Sequence, residues 1–158
     1  MNNMENKKQE ELQQVVGELR EAQQNVEILQ SQSEELKNSI NEIESTKETL
    51  EGIEEVEAGT ELLVPLGSGS YLPVEAHKPD KVLMDLGADL VAERSPEKVS
   101  ELIDKQKKDI EGSLEEIQNR IKKLNEKIEE LRPKAQELIE EAQSGQQTES
   151  EQISDREG

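Results

Sequence analysis

Three features of this sequence have residue types that could do chemistry. "GSGSYL" at 67–72 offers main-chain amides freed by glycine, which is how a phosphate cradle begins. It lacks the third glycine, the lysine and the following helix such a cradle needs, so these read as turn glycines. His77 is the single histidine and there is no cysteine, so no ligand set for zinc can be completed around it; it reads as a solvated loop residue. The acidic runs "EELQQ" and "EEVE" lack the spaced oxygens and central glycine of a calcium loop and read as solvated helix faces. The expectation is a protein with no catalytic residues, no metal and no cofactor, and not an enzyme.

Composition points the same way. The 158 residues are 30% hydrophobic and 36% charged, with one Tyr, no Phe and no Trp. A compact core usually rests on large aromatic and aliphatic side chains, which are scarce here. The formal net charge of −19 disfavours nucleic acid, whose phosphates need neutralising. Without cysteine the chain fits a reducing cytosol, "MNNMENKKQEELQQ" has no apolar leader segment, and no run of about 18 apolar residues occurs. A soluble, cytoplasmic protein with no membrane partner is expected.

What remains is disorder or long helices with a narrow apolar seam, and periodicity decides for helices. Leu12, Leu19, Val26, Ser33, Ile40 and Lys47 form one series, and Val15, Ala22, Leu29, Leu36, Ile43 and Leu50 the other. These are a and d positions sustained over five heptads. Ser33 and Lys47 are the polar members, read as register-setting or loosely packed. A second seam follows "RSPEK", where Ser95 suits an N-cap and Pro96 the first helical position. It runs Val99, Ile103, Gln106, Ile110, Leu114, Ile117, Ile121, Leu124, Ile128, Leu131, Ala135, Leu138 and Ala142. The four-three-four spacing from Ile110 to Ile121 locally relaxes the supercoil. Pro133 removes one ladder hydrogen bond and is expected to kink or loosen the far end.

Charge chooses the partner of each helix. Residues 9–55 carry 3 basic and 13 acidic side chains, whereas 96–144 carry 10 and 13. An antiparallel hairpin sets the lysines of the second helix beside the acidic first helix, and self-pairing of the first would stack like charge. The seams thus pair about a centre near residue 76.

Between the helices the pattern changes to alternation. Leu62, Val64 and Leu66, then Leu72, Val74 and Ala76, then Val82, Met84 and Leu86, then Leu90 and Ala92, read as four short strands. Residues 67–70 form one turn and 87–89 another, with "HKPD" between, giving two β-hairpins. Leu63, Tyr71, Leu83 and Val91 fall on alternate positions, so both faces need cover. Isolated hairpins are marginal in water and open apolar edges invite pairing, so assembly with other subunits into a sheet or barrel is expected. The segments are 1–8, a flexible N-terminus; 9–56, the first coiled-coil helix; 57–94, the hairpins; 95–143, the second coiled-coil helix; and 144–158, a disordered acidic tail. The fold class is mainly α with a small β insert: a long antiparallel coiled-coil hairpin with two central β-hairpins that assemble into an oligomeric β-barrel platform.

With "LVPLGSGSYLPVEA" and "PDKVLMDLGADLVAE" between two seams, the chain resembles the alpha subunits of prefoldin, archaeal type. Val64, Pro65, Leu66, Gly67, Gly69 and Tyr71 match the family's first hairpin, and Asp80, Lys81, Val82 and Gly87 its second. Asp89 stands where the family's second turn has Gly. The resemblance implies an ATP-independent chaperone, a hexamer of two alpha and four beta subunits. It would hold unfolded client proteins on its coiled-coil arms and pass them to a group II chaperonin. A GrpE-type co-chaperone or a structural, tethering coiled coil are the rival readings; the first carries its β part after the helices, and the second has no need of apolar hairpins in mid-chain.

Within this framework Leu62, Val64, Leu66, Leu72, Val74, Val82, Met84, Leu86 and Leu90 are the expected oligomer interface. Leu12, Val15, Val16, Leu19, Leu131, Leu138 and Ile139, at the arm tips, are the expected client-binding residues. Val16 and Ile139 widen the apolar stripe there, and fraying ends expose it.

Overall fold

The structure, a computed structural model, describes the backbone of residues 2–154 and the side chains of residues 3–145. Its elements run α1 (Asn2–Glu54), β1 (Glu61–Gly67), β2 (Ser70–Glu75), β3 (Val82–Gly87), β4 (Leu90–Arg94) and α2 (Pro96–Ser154). The chain divides into two units, one joining 1–34 to 115–158 and the other formed by 35–114.

In the first unit the two helices meet in antiparallel order. Val15 packs with Leu131 and Ala135, and Leu19 and Leu138 flank them. Further along α1, Ala22 and Val26 pack with Ile128, against Ile121 and Leu124. Lys8 reaches Glu141 at 3.1 Å. Progress along α1 is thus matched by retreat along α2, as the charge argument requires. Ser33, polar and in the seam, is buried. α2 continues through Pro133, which is exposed, with Leu131 and Ala135 buried on either side. The expected loosening is not seen: the ring lies outside the seam, so the lost hydrogen bond does not open the packing.

The second unit holds the other half of the pairing and the hairpins. Leu50, Val99 and Ile103 form its core, and Ile43, Val82 and Met84 pack against it. Two ion pairs cross between the helices here, Lys47 to Asp104 at 2.6 Å and Glu44 to Lys107 at 3.1 Å. α2 opens as expected: the Lys98 amide donates to the Ser95 hydroxyl at 3.2 Å and the Val99 amide to the Ser95 carbonyl at 3.0 Å. That is a serine N-cap with proline at the first helical position.

Both helices outrun their expected limits. The N-terminus expected to be flexible over 1–8 is helical from Asn2, and the tail expected to be disordered over 144–158 is helical as far as Ser154. Residues 155–158 lie outside the described residues. Glu, Gln, Lys and Met are good helix formers, and extending an existing helix escapes the nucleation cost, so polar composition alone does not end it.

The hairpins are two separate two-stranded antiparallel sheets, β1–β2 and β3–β4. They share one plan, displaced by twenty residues: Val64 pairs with Leu72 and Met84 with Ala92, Pro65 with Tyr71 and Asp85 with Val91, Gly67 with Ser70 and Gly87 with Leu90. Each ladder slips by a bulge before its turn, between 65 and 67 or between 85 and 87. Each turn has three successive left-handed residues, with φ of 104°, 51° and 76° at Gly67, Ser68 and Gly69, and 85°, 50° and 61° at Gly87, Ala88 and Asp89. Asp tolerates this conformation better than most residues, so Asp89 serves where glycine was expected.

Candidate assembly surface

The apolar side chains of the hairpins have far more surface than the chain itself covers. Along β1 and β2, Leu62 pairs with Val74 and Val64 with Leu72, which puts these four on one face. Val64 and Leu72 are exposed there, and Leu62 and Val74 half-buried. Leu66, beside the turn, is 63% exposed. On the second hairpin Leu86 and Leu90 are exposed, whereas Val82 and Met84 are half-buried against the chain's own helices. The nine residues expected at an oligomer interface therefore fall into two groups. Four are half-buried, Val82 and Met84 against the helix pair and Leu62 and Val74 on the first hairpin, and the other five, Val64, Leu66, Leu72, Leu86 and Leu90, are exposed.

The opposite faces are mixed, with Leu63, Pro65, Tyr71 and Pro73 beside Glu61 and Glu75 on the first hairpin, and Leu83 and Val91 beside Asp85 and Glu93 on the second. Leu63, Tyr71, Leu83 and Val91 are all exposed, Leu83 at 69%. Alternation had placed them on the second face, where they are exposed apolar side chains that the interface expectation left out. Single exposed apolar residues are ordinary, whereas several on one short hairpin are a feature of surfaces that bind other chains.

Conformation reinforces the point. Gly67 and Gly87 stand at φ values that β-branched or bulky residues avoid, so the bulge and turn are built for a tight reversal. The Ser70 hydroxyl donates to the Gly67 carbonyl at 2.6 Å, and the Asp85 carboxylate accepts from the Gly87 amide at 2.8 Å. The turns are thus held by local bonds, leaving the strand edges free.

The seven residues expected to bind clients divide differently. Val15 and Leu131 are buried, Leu12, Val16, Leu19 and Leu138 are half-buried, and Ile139 is exposed at 42%. A cleft of about 280 Å³ is lined by Leu19, Arg132, Pro133, Ala135, Gln136 and Ile139. The stripe is therefore closed in its seam and open at its flank.

The ion pairs between the helices shift the titration of one group. Lys107 is held above the ordinary lysine range, first by its hydrogen bond to Glu44 and then by the nearby carboxylates of Glu44, Glu111 and Asp104, against the opposing effect of desolvation. Among the described residues no group of three His, Cys, Asp or Glu side chains is placed to hold a metal, and no helix is long and apolar enough to cross a membrane.

Comparison with known proteins places this geometry. A family model described as prefoldin subunit matches residues 22–141. The chain is 31% identical over 103 residues to prefoldin subunit alpha of Methanopyrus kandleri, an alignment covering 65% of this chain and 66%, just under two thirds, of that relative. It is 33% identical over 107 residues to prefoldin subunit alpha of Archaeoglobus fulgidus, covering 68% of this chain and 78% of that one. Its fold is similar to a cryo-EM structure of filamentous PFD from Methanocaldococcus jannaschii, with a TM-score of 0.66, 25% identity, and coverage of 73% of this chain and 95% of the other.

Proposed function

The chain belongs to the prefoldin family, and from that premise we propose that it works as the alpha subunit of an ATP-independent holding chaperone. It joins beta subunits through its hairpins, two alpha with four beta, and holds unfolded proteins on its helix pair before passing them to a group II chaperonin. The observation that carries this reading is the pair of hairpins, whose apolar side chains are exposed at Leu63, Leu66, Leu83 and Leu90. A surface of that kind is an assembly interface waiting for its partners.

The reading assigns client holding to the flank of the helix pair near Ile139, and the exposure of Ile139 beside half-buried Leu19 and Leu138 supports it. Those side chains offer an apolar surface to an unfolded segment.

The test is reconstitution with a prefoldin beta subunit. Sedimentation should give a hexamer, and that hexamer should suppress aggregation of a denatured protein equally with and without ATP. Deleting 1–19 together with 132–158 should leave the hexamer intact and weaken holding, measured by light scattering with full-length and with truncated beta. An absent hexamer, or a nucleotide requirement with no chaperonin added, would remove the reading. Full protection by the truncated hexamer would move client binding elsewhere.

A further inference from the structure

The first hairpin carries two prolines, and their main-chain orientation can be read from the hydrogen bonds at its open end. The Ala76 amide donates to the Thr60 carbonyl and its carbonyl accepts from the Gly59 amide, both at 2.8 Å. Residue 76 therefore turns its polar groups toward the β1 side. In an antiparallel ladder that direction alternates from residue to residue. Val74 and Leu72 then face inward, opposite Leu62 and Val64, while Pro73 and Tyr71 face outward. On β1 the same alternation turns Leu63 and Pro65 outward. Each prolyl nitrogen thus lies on a free outer edge, one on each side of the hairpin.

The edges are interrupted as a result. Along β1 the outward amides are those of Glu61 and Leu63, with none at Pro65; along β2 they are those of Tyr71 and Glu75, with none at Pro73. The second hairpin, built to the same plan, has Asp85 and Glu93 at the corresponding positions, where the amides remain. Its two carboxylates are already engaged, Asp85 by the Gly87 amide at 2.8 Å and Glu93 by Lys81 at 3.7 Å.

We infer that Pro65 and Pro73 are specificity residues for strand addition, excluding a second copy of the β1–β2 hairpin and admitting only a strand of a different subunit that ends or bulges opposite the proline. A regular strand laid on either edge leaves one carbonyl facing a ring in place of a donor. Two copies of this hairpin paired about Pro73 lose that bond on both sides, so open-ended self-stacking is penalised twice. The β3–β4 hairpin, with complete edges, accepts a regular strand. The inference rests on the hairpins being the assembly surface.

Sedimentation velocity of the full chain, alone and mixed with a prefoldin beta subunit, compares wild type with Pro65→Val, Pro73→Val and the double variant. The double variant should form open-ended assemblies whose weight-average mass grows with concentration and at least doubles relative to wild type. A distribution matching wild type overturns the inference. Should wild type form no complex with beta, the assembly reading fails, and the chain-alone comparison still decides the role of the prolines. Should the valine variants not fold, the alanine variants are read in the same way. Amide exchange gives an independent check: in Pro73→Ala the new amide should exchange at an unprotected rate in the unassembled chain, and protection there would mean that it faces inward.

Discussion

The Lys47 ammonium lies 2.6 Å from the Asp104 carboxylate, one turn along α1 from the pairing of Glu44 with Lys107. Acid then base on α1 meets base then acid on α2 when the helices run in opposite directions. A parallel in-register pair of α1 helices would set Glu44 against Glu44 and Lys47 against Lys47. Replacing both partners, Lys47→Met with Asp104→Asn, in a double-mutant cycle should give a coupling of about 0.5 kcal/mol, since both groups are part-exposed. Urea denaturation measures it, and a coupling indistinguishable from zero would reduce the pair to a bystander.

Lys107 gives a pH dependence of definite sign. Its folded-state pKa is raised above the ordinary 10.5, so the stabilisation is fully present below that value and is lost as pH rises through the folded value. The stability advantage of wild type over Glu44→Gln should therefore hold at neutral pH and shrink above the lysine range. Denaturation midpoints across that range decide it; a gap that stays constant argues against the linkage.

Charge on the exposed hairpin faces should separate folding from assembly. Val64 and Leu86 are exposed in the single chain, so Val64→Asp or Leu86→Asp should leave helical content unchanged by circular dichroism. An interface that buries the new carboxylate unpaired cannot form. Each variant should sediment without the hexamer, and an unaltered hexamer in both would mean that these faces stay in water after assembly.

Ala88 holds φ of 50° with a side chain that gains nothing there. Ala88→Gly should stabilise the β3–β4 hairpin by about 1 kcal/mol, and Gly87→Val, at φ 85°, should weaken it. Amide exchange of β3 and β4 reports both; the same protection in all three proteins would show that the turns carry no strain.

Much of this molecule could be read from spacing because its core is a seam. Val15, Ala22, Val26, Leu29 and Leu50 on α1, and Val99, Ile103, Ile128, Leu131 and Ala135 on α2, are buried where three-four periodicity put them. The hairpins were equally legible, since alternation and glycine-bearing turns leave few other options. The partner of Lys47 was not legible, because a seam position says that a residue faces its neighbour and does not say which carboxylate answers it. Val82 and Met84 escaped for a similar reason: alternation assigns a face, and only packing shows that Leu50, Val99 and Ile103 lie under it. The helix ends were misplaced because polar composition suits solvated helix and disorder alike. Ile139 was legible as a residue that widens the stripe, but the cleft it lines with Pro133 was not, since a heptad count carries little information about the flank.

The twenty-residue repetition of the hairpins gives the chain a valence. In the language of step-growth chemistry, each two-stranded hairpin offers two joining edges, so a subunit with one hairpin is bifunctional and a subunit with two is tetrafunctional. Mixtures of such units close into small objects or grow into chains according to their molar ratio and to which edges are capped. On the proposed assembly through the hairpins, their duplication would make stoichiometry, and not affinity alone, a variable that sets where assembly stops.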